Sequence, residues 1–171
     1  MRTKDKTLPL NYDLDSHSLR TVFARHPSGI AALCATVDGR QEGFVASSFT
    51  VGVSLEPPLV MFAVQKSSRT WPRLRRAGRI GISVLSERNE WVCAQLASKH
   101  GDRFAGVSTE VTADGALLLD DSAAHFETSI YSEVDAGDHW VVLLRVHAHR
   151  VAEHDPVVFH DSAIRRLPAL V

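Results

Sequence analysis

Turn signals recur along this chain between short apolar runs, and that punctuation constrains its fold more than any other feature. Asp38-Gly39 separates a run from Ile30 to Val37 from one at about Gln41 to Ser48, the pattern of a tight β-hairpin. Asp135-Ala-Gly-Asp138 separates two long runs rich in β-branched and aromatic residues, about Ala124 to Val134 and Trp140 to Val151. Leu59 to Val64, entered through Pro57-Pro58, and Ile80 to Leu85 read as further strands, with a short one at Val157 to His160. Helical spacing occurs in three places. Asp15 can cap a helix to about Arg25, with Leu19, Val22 and Phe23 on one face and Pro27-Ser-Gly29 ending it. Thr70 is a candidate N-cap for a helix over Arg69 to Ala77, stopped by Gly78. Asn89 to Lys99 turns Trp91, Val92 and Leu96 inward and breaks at His100-Gly-Asp102. Strands joined by hairpins, without regular βαβ alternation, predict a mainly β, antiparallel closed barrel with peripheral α-helices, because closure removes exposed sheet edges.

At 171 residues the chain has the length of one domain with a substantial core. Residues 1–14, polar and containing Pro9, read as a flexible N-terminal arm, and 15–171 as a single domain. A net charge of −1 gives no global attraction to nucleic acid or to anionic membrane. The run Trp140 to Leu144 stops at Arg145, far short of a bilayer span, and the N-terminus lacks a signal-peptide core. A cytoplasmic protein fits these features. Cys34 and Cys93 share no metal or redox spacing and read as buried structural thiols.

Two hydroxyl clusters flank the Leu59 to Val64 strand: Ser47-Ser48, and Ser67-Ser68 with Thr70. The second lies at an expected helix start beside Lys66 and Arg69, a setting that suits an anion, although Ser68 or Thr70 can equally serve only as a cap. The first ends a strand with small side chains, which lets a planar ring approach the backbone; a plain strand-to-loop turn reads the same way. One segment offers a ring wall and the other an anion seat.

In this order and spacing, Pro27-Ser-Gly29, Gly43-Phe-Val-Ala-Ser-Ser-Phe49, Val53-Ser-Leu-Glu-Pro-Pro-Leu-Val60, Ser67-Ser-Arg-Thr-Trp71, Asp102-Arg-Phe-Ala-Gly106 and Gly137-Asp-His139 resemble one family from about Leu19 to Leu167. It is the flavin reductase-like family of FMN-binding split barrels, the reductase components of two-component flavin monooxygenases. The resemblance implies a homodimer that binds FMN or FAD and transfers hydride from NADH or NADPH, supplying reduced flavin to a partner monooxygenase. It places Val45, Ala46, Ser47 and Ser48 along the isoalloxazine, and the segment of Gln65, Lys66, Ser67, Ser68 and Thr70 at the ribityl phosphate. Phe104 would pack near the flavin, and His139 would be the catalytic-side residue near the nicotinamide. Three positions depart from the family pattern: Val45 replaces a usual threonine, Phe44 is bulkier than expected, and Trp140 follows His139 where a smaller residue is common. They leave room for a flavin-binding split barrel acting on its own organic substrate, or for a flavin-binding module without turnover.

Other constellations read as bland. His147 and His149 share a strand face and could join His154 or His160 at a metal, but a solvated face is the better reading and no metal site is expected. Arg69, Arg73, Arg75, Arg76 and Arg79 form a basic cluster without interleaved aromatic residues, which reads as a solvated helix face rather than a nucleic-acid site, one that could also attract cofactor phosphates. Asp120-Asp121 reads as a turn.

Overall fold

The structure, a computed structural model, describes residues 10–168. Most of the expected N-terminal arm therefore lies outside the described residues; its last part, residues 10–14, is irregular and exposed. In chain order the elements are α1 (Ser16–Phe23), β1 (Ser28–Gly29), β2 (Ala31–Val37), β3 (Arg40–Ala46), β4 (Thr50–Leu55), β5 (Pro58–Gln65) and α2 (Trp71–Leu74). There follow β6 (Ile80–Val84), α3 (Val92–Ala97), β7 (Thr109–Val111), β8 (Leu117–Leu119), β9 (Ala124–Ala136), β10 (His139–Val151), β11 (Val157–His160) and β12 (Ala163–Arg166).

Seven strands form the main sheet in the order β3-β2-β6-β9-β10-β5-β4, with every pairing antiparallel. Smaller sheets, β1-β11-β12 and β7-β8, flank it. The turn chemistry sets the register. Asp38 and Gly39 both take positive φ (51° and 75°) between the paired residues Val37 and Arg40, the conformation a two-residue hairpin needs. At the β9–β10 tip Ala136 pairs with His139, so the turn contracts to Gly137-Asp138 and the strands extend further than expected.

β2 carries the core on both faces, which explains its unbroken apolar run. Ala31, Leu33, Ala35 and Val37 face one cluster with Phe62, Trp71, Leu74, Ile82 and Leu144; Ile30, Ala32 and Cys34 face another with Leu96, Phe104, Leu117 and Leu119. The sheet curls until β3 approaches β5, where the Phe44 and Phe62 ring centroids lie 5.8 Å apart. No ladder joins the two strands; just past the end of β3 one side chain bridges to β5. The Ser48 hydroxyl donates to the Ala63 carbonyl and accepts from the Ala63 N–H, both at 3.0 Å. The barrel is thus split, with a seam at Ser48.

The helices are shorter than their sequence pattern suggests. α1 begins as expected, the Asp15 carboxylate accepting from the N–H groups of His17 (2.7 Å) and Ser18 (3.1 Å), but it ends at Phe23. Its apolar face meets no core among the described residues: Val22 and Phe23 are 64% and 65% exposed. Asn89 does not enter α3, because its buried amide ties Ser86, Asp120 and Ser122 together instead. The segment at 28–29, expected to end a helix, pairs as β1 with β11.

Candidate active site

A cleft of about 980 Å³ opens along the split, between the end of β3, the end of β5 and the start of β10. The loop after α3 forms its far wall through Lys99, Gly101 and Arg103. The structure brings Val45, Ala46, Ser47 and Ser48 to one side of this cleft. Gln65, Ser67, Ser68 and Thr70 stand on another, and His139 lies at the β10 end, directly across the ladder from Gln65.

The ring wall has a clear origin. β3 is an edge strand of its sheet, so alternate backbone groups have no ladder partner. The Gly43 carbonyl accepts from the Arg103 guanidinium at 3.1 Å, which shows that Gly43 turns its backbone groups away from β2. By the two-residue alternation of a strand Val45 does the same, so its N–H and C=O point to the open side whatever its side chain is. The Val45 replacement therefore removes a hydroxyl and leaves the backbone donor. Phe44, half-buried, packs on the core edge-on to Trp71 at 6.5 Å and also lines the cleft.

On the anion side the hydroxyls are not equivalent. Ser68 Oγ accepts from the Trp71 N–H at 3.1 Å and caps α2, while Thr70, at the N-cap position, makes no such bond and accepts from Arg103 at 3.1 Å. Ser67 has only a long 3.4 Å bond to Gln65 Oε1. α2 has four residues, too few for an axial dipole to matter, so charge must come from side chains. Arg73 grips Glu42 with two bonds, of 2.7 and 3.1 Å, and Arg103 lies 3.8 Å from the same carboxylate. Arg69 and Lys99 line the cleft and have no ion pair among the described residues. Four cations against one carboxylate leave a positive cleft suited to a phosphate.

Two expected site residues stand elsewhere. Lys66 points out of the cleft: its ammonium pairs with Asp135 at 2.8 Å and sits 5.0 Å over the Trp140 ring. Trp140 packs on the first core cluster and does not line the cleft. Phe104 is buried in the second cluster, filling the space beside Gly43, where an added Cβ would meet its ring at 3.0 Å and Cys34 Sγ at 2.5 Å. Its neighbour Arg103 is the cleft residue of the Asp102-Arg-Phe104 segment. Arg69 stands where the sequence placed it, beside the anion seat, while Arg73, grouped there with a solvated basic face, is turned to Glu42; Arg103 and Lys99 were not singled out, and an arginine beside a motif aromatic was the signal for the first.

His139 Nδ1 lies 2.7 Å from an Asp138 carboxylate oxygen. Donation from the ring holds the Asp138 carboxyl below the usual carboxylate range. With Nδ1–H committed, Nε2 is the nitrogen left for a ligand. Burial pushes the Cys34 thiol up to about 12, so it is an inert core residue, as expected. No group of three potential metal ligands occurs among the described residues.

Open strand-edge backbone, hydroxyls without strong partners and unpaired cations fit a planar phosphorylated ligand, and the comparisons agree. The sequence model of the flavin reductase like domain matches residues 23–168. The chain belongs to the flavin reductase-like family. One relative, the reductase subunit HsaB of a flavin-dependent monooxygenase from Rhodococcus jostii, is 36% identical over 86% of this chain and 75% of its own. Another, actinorhodin polyketide dimerase of Streptomyces coelicolor, is 37% identical over 91% of this chain and 87% of its own. Among solved structures, the NADH:FAD oxidoreductase SgcE6 of Streptomyces globisporus, in complex with NAD and FAD fragments, superimposes with a TM-score of 0.84 at 29% identity, covering 90% of this chain and 93% of that one. The mainly β, antiparallel split barrel of this chain is the fold it shares with that solved structure. No helix among the described residues is long and apolar enough to cross a membrane.

Proposed function

We infer that this protein is an NADH-dependent flavin reductase that transfers hydride from the dinucleotide to FMN or FAD and supplies reduced flavin to a partner oxygenase. The observation that carries this reading is the cleft at the barrel split, where open β3 backbone, a cationic turn and His139 converge. Bound there, a flavin supplies the redox chemistry, accepting two electrons and a proton equivalent from the nicotinamide. The chain's own work is placement. The Val45 to Ser48 backbone presents donors to the ring's polar edge. Ser67, Arg69 and Lys99 receive the phosphate, with Ser68 and Thr70 shaping the turn. Gln65 and His139, paired across β5 and β10, stand on the dinucleotide side, His139 offering Nε2 while Asp138 holds its ring. One domain over residues 15–171 carries all of this, after an arm at 1–14. A homodimer is the assembly that gives the exposed α1 face and the β4 edge, with Val51 57% and Leu55 89% exposed, a partner.

Anaerobic titration tests this reading directly. NADH should bleach added FMN or FAD, and aerobic NADH consumption should scale with free flavin concentration. Absence of flavin binding, or a bound flavin that stays oxidised under both NADH and NADPH, would overturn it. The relative named as a polyketide dimerase supports a second reading, a bound flavin serving an organic substrate directly. That reading predicts flavin that co-purifies with the protein and NADH oxidation that added flavin does not accelerate.

A further inference from the structure

We propose that Arg103 is a positioning residue for the flavin ring: its guanidinium latches the open edge of β3 to the turn before α2, and so fixes the backbone against which the ring lies. The proposal rests on the flavin-reductase reading and assigns to that cleft a residue whose action is indirect.

Three chain segments meet at this one side chain. A single terminal nitrogen of Arg103 donates to the Gly43 carbonyl and to Thr70 Oγ1, each at 3.1 Å. The other terminal nitrogen faces the Glu42 carboxylate at 3.8 Å, and Glu42 is in turn gripped by Arg73 of α2. The carrier of the latch is itself held rigid. Gln95 of α3 donates to the carbonyls of Arg103 (3.1 Å) and Ala105 (2.7 Å), Asp102 accepts from the Phe104 N–H at 2.9 Å, and the Phe104 ring is sunk in the core. Phe104 thus anchors the segment and Arg103 works from that anchor.

The edge needs such a device. At its open side β3 has no ladder partner, and among the described residues side chains tie it there instead: Arg73 on Glu42, Phe44 against Phe62, and the Ser48 bridge just past its end. An untied edge residue must be ordered by the ligand on binding, at a cost in affinity. Arg103 removes that cost two residues before Val45. One terminal nitrogen holds the carbonyl and the hydroxyl while the other faces the carboxylate; a lysine brings a single, shorter-reaching nitrogen in place of two.

The latch and a direct phosphate contact predict different outcomes, and two ligands separate them. FMN and riboflavin share the ring and differ in the phosphate. If Arg103 acts through the β3 edge, Arg103→Lys and Thr70→Val should each weaken FMN and riboflavin by the same factor, about tenfold or more for a lost hydrogen bond from a charged donor. The Michaelis constant for flavin should rise with that for NADH unchanged, and thermal unfolding should report whether each variant folds. Weakened FMN with unchanged riboflavin would make Arg103 a phosphate ligand and overturn the latch. Unchanged affinity for both ligands in folded variants would also overturn it. A rise in the NADH constant equal to that for flavin would show general loosening and overturn it too. If the wild-type protein binds neither flavin, the functional reading fails together with the latch; wild-type binding with unaffected variants removes the latch alone.

Discussion

The seam at Ser48 is the contact on which both the fold and the cleft depend, and replacing it with alanine isolates one hydroxyl. Ser48→Ala removes two hydrogen bonds of 3.0 Å and leaves both backbone groups of Ala63 without a protein partner. Two such bonds would contribute about 1–3 kcal/mol if water could not replace them. Ser48 is exposed, so water reaches both groups, and the lower half of that range, about 1–2 kcal/mol, is expected. For a chain of this size that lowers the melting temperature by about 2–8 °C. The measurement is urea unfolding of the wild type, Ser48→Ala, Ser48→Thr and Ser47→Ala. The midpoint should fall for Ser48→Ala with an unchanged slope, return in Ser48→Thr, and stay in place for Ser47→Ala, whose hydroxyl has no described partner. Flavin affinity should follow the same order, because the seam holds the Ala46 to Ser48 wall against β5. Equal midpoints for Ser48→Ala and Ser47→Ala would refute the argument, since the barrel would then close without its hydroxyl bridge.

Gly43→Ala puts a methyl 2.5 Å from Cys34 Sγ and 3.0 Å from the Phe104 ring; overpacking of about 1–3 kcal/mol should exceed the ~0.5–1 kcal/mol gained from replacing a strand glycine. The clash makes the effect non-additive, so Gly43→Ala in a Cys34→Ala background should cost at least ~0.5 kcal/mol less in urea unfolding. His125 is buried, donating from Nε2 to the Leu119 carbonyl at 2.8 Å, and burial holds its pKa below the ordinary value. The unfolded chain then binds the extra proton first, so stability should be full above about pH 6.5 and fall as pH drops from there to the folded pKa, with His125→Gln flattening that slope. His139→Ala should raise the Michaelis constant for NADH several-fold with the flavin constant little changed; unaltered dinucleotide kinetics would remove His139 from the nicotinamide side. Arg69→Ala should weaken FMN and reduce the salt dependence of binding, whereas Lys66→Ala, acting on a side chain committed to Asp135 and Trp140, should alter neither.

The strand order was not written in any one segment, but the hairpins were. Asp38-Gly39 revealed its turn because both positions need positive φ and the residues there tolerate it. Asp161-Ser162 makes the same kind of turn, with φ of 54° and 59°, and hid β12 because no glycine marks it. β4 was invisible for another reason. Its register breaks between Thr50 and Ser54 around Gly52, and its apolar residues face outward, so neither alternation nor burial survives in the pattern. α1 shows the converse. Its amphipathic spacing was legible, yet that face finds no core among the described residues, because periodicity records that a helix has an apolar side and not what covers it.

At the site, the residues that shape backbone were legible and those that spend their side chains elsewhere were not. Ser47, Ser48, Ser67 and Ser68 read as one class of hydroxyl, but structure divides them by partner: Ser48 closes the seam, Ser68 caps α2, and Ser67 keeps a weak bond it can exchange. Lys66 and Arg69 read as two adjacent cations, and a strand partner decides between them. The Lys66 N–H bonds the Asp138 carbonyl at 2.9 Å, which ties its residue to the β10 hairpin and sends its ammonium to Asp135, while Arg69 is left facing the cleft. Within Asp102-Arg-Phe104 the aromatic drew attention because rings suggest flavin contact. Gly43 reverses the roles: the missing Cβ opposite admits Phe104 to the core, and Arg103, beside it in the same turn, lines the cleft and donates to the Gly43 carbonyl. A motif records which residues occur together. Which one meets the ligand is fixed by where the backbone makes room, and here that room is one glycine on an edge strand.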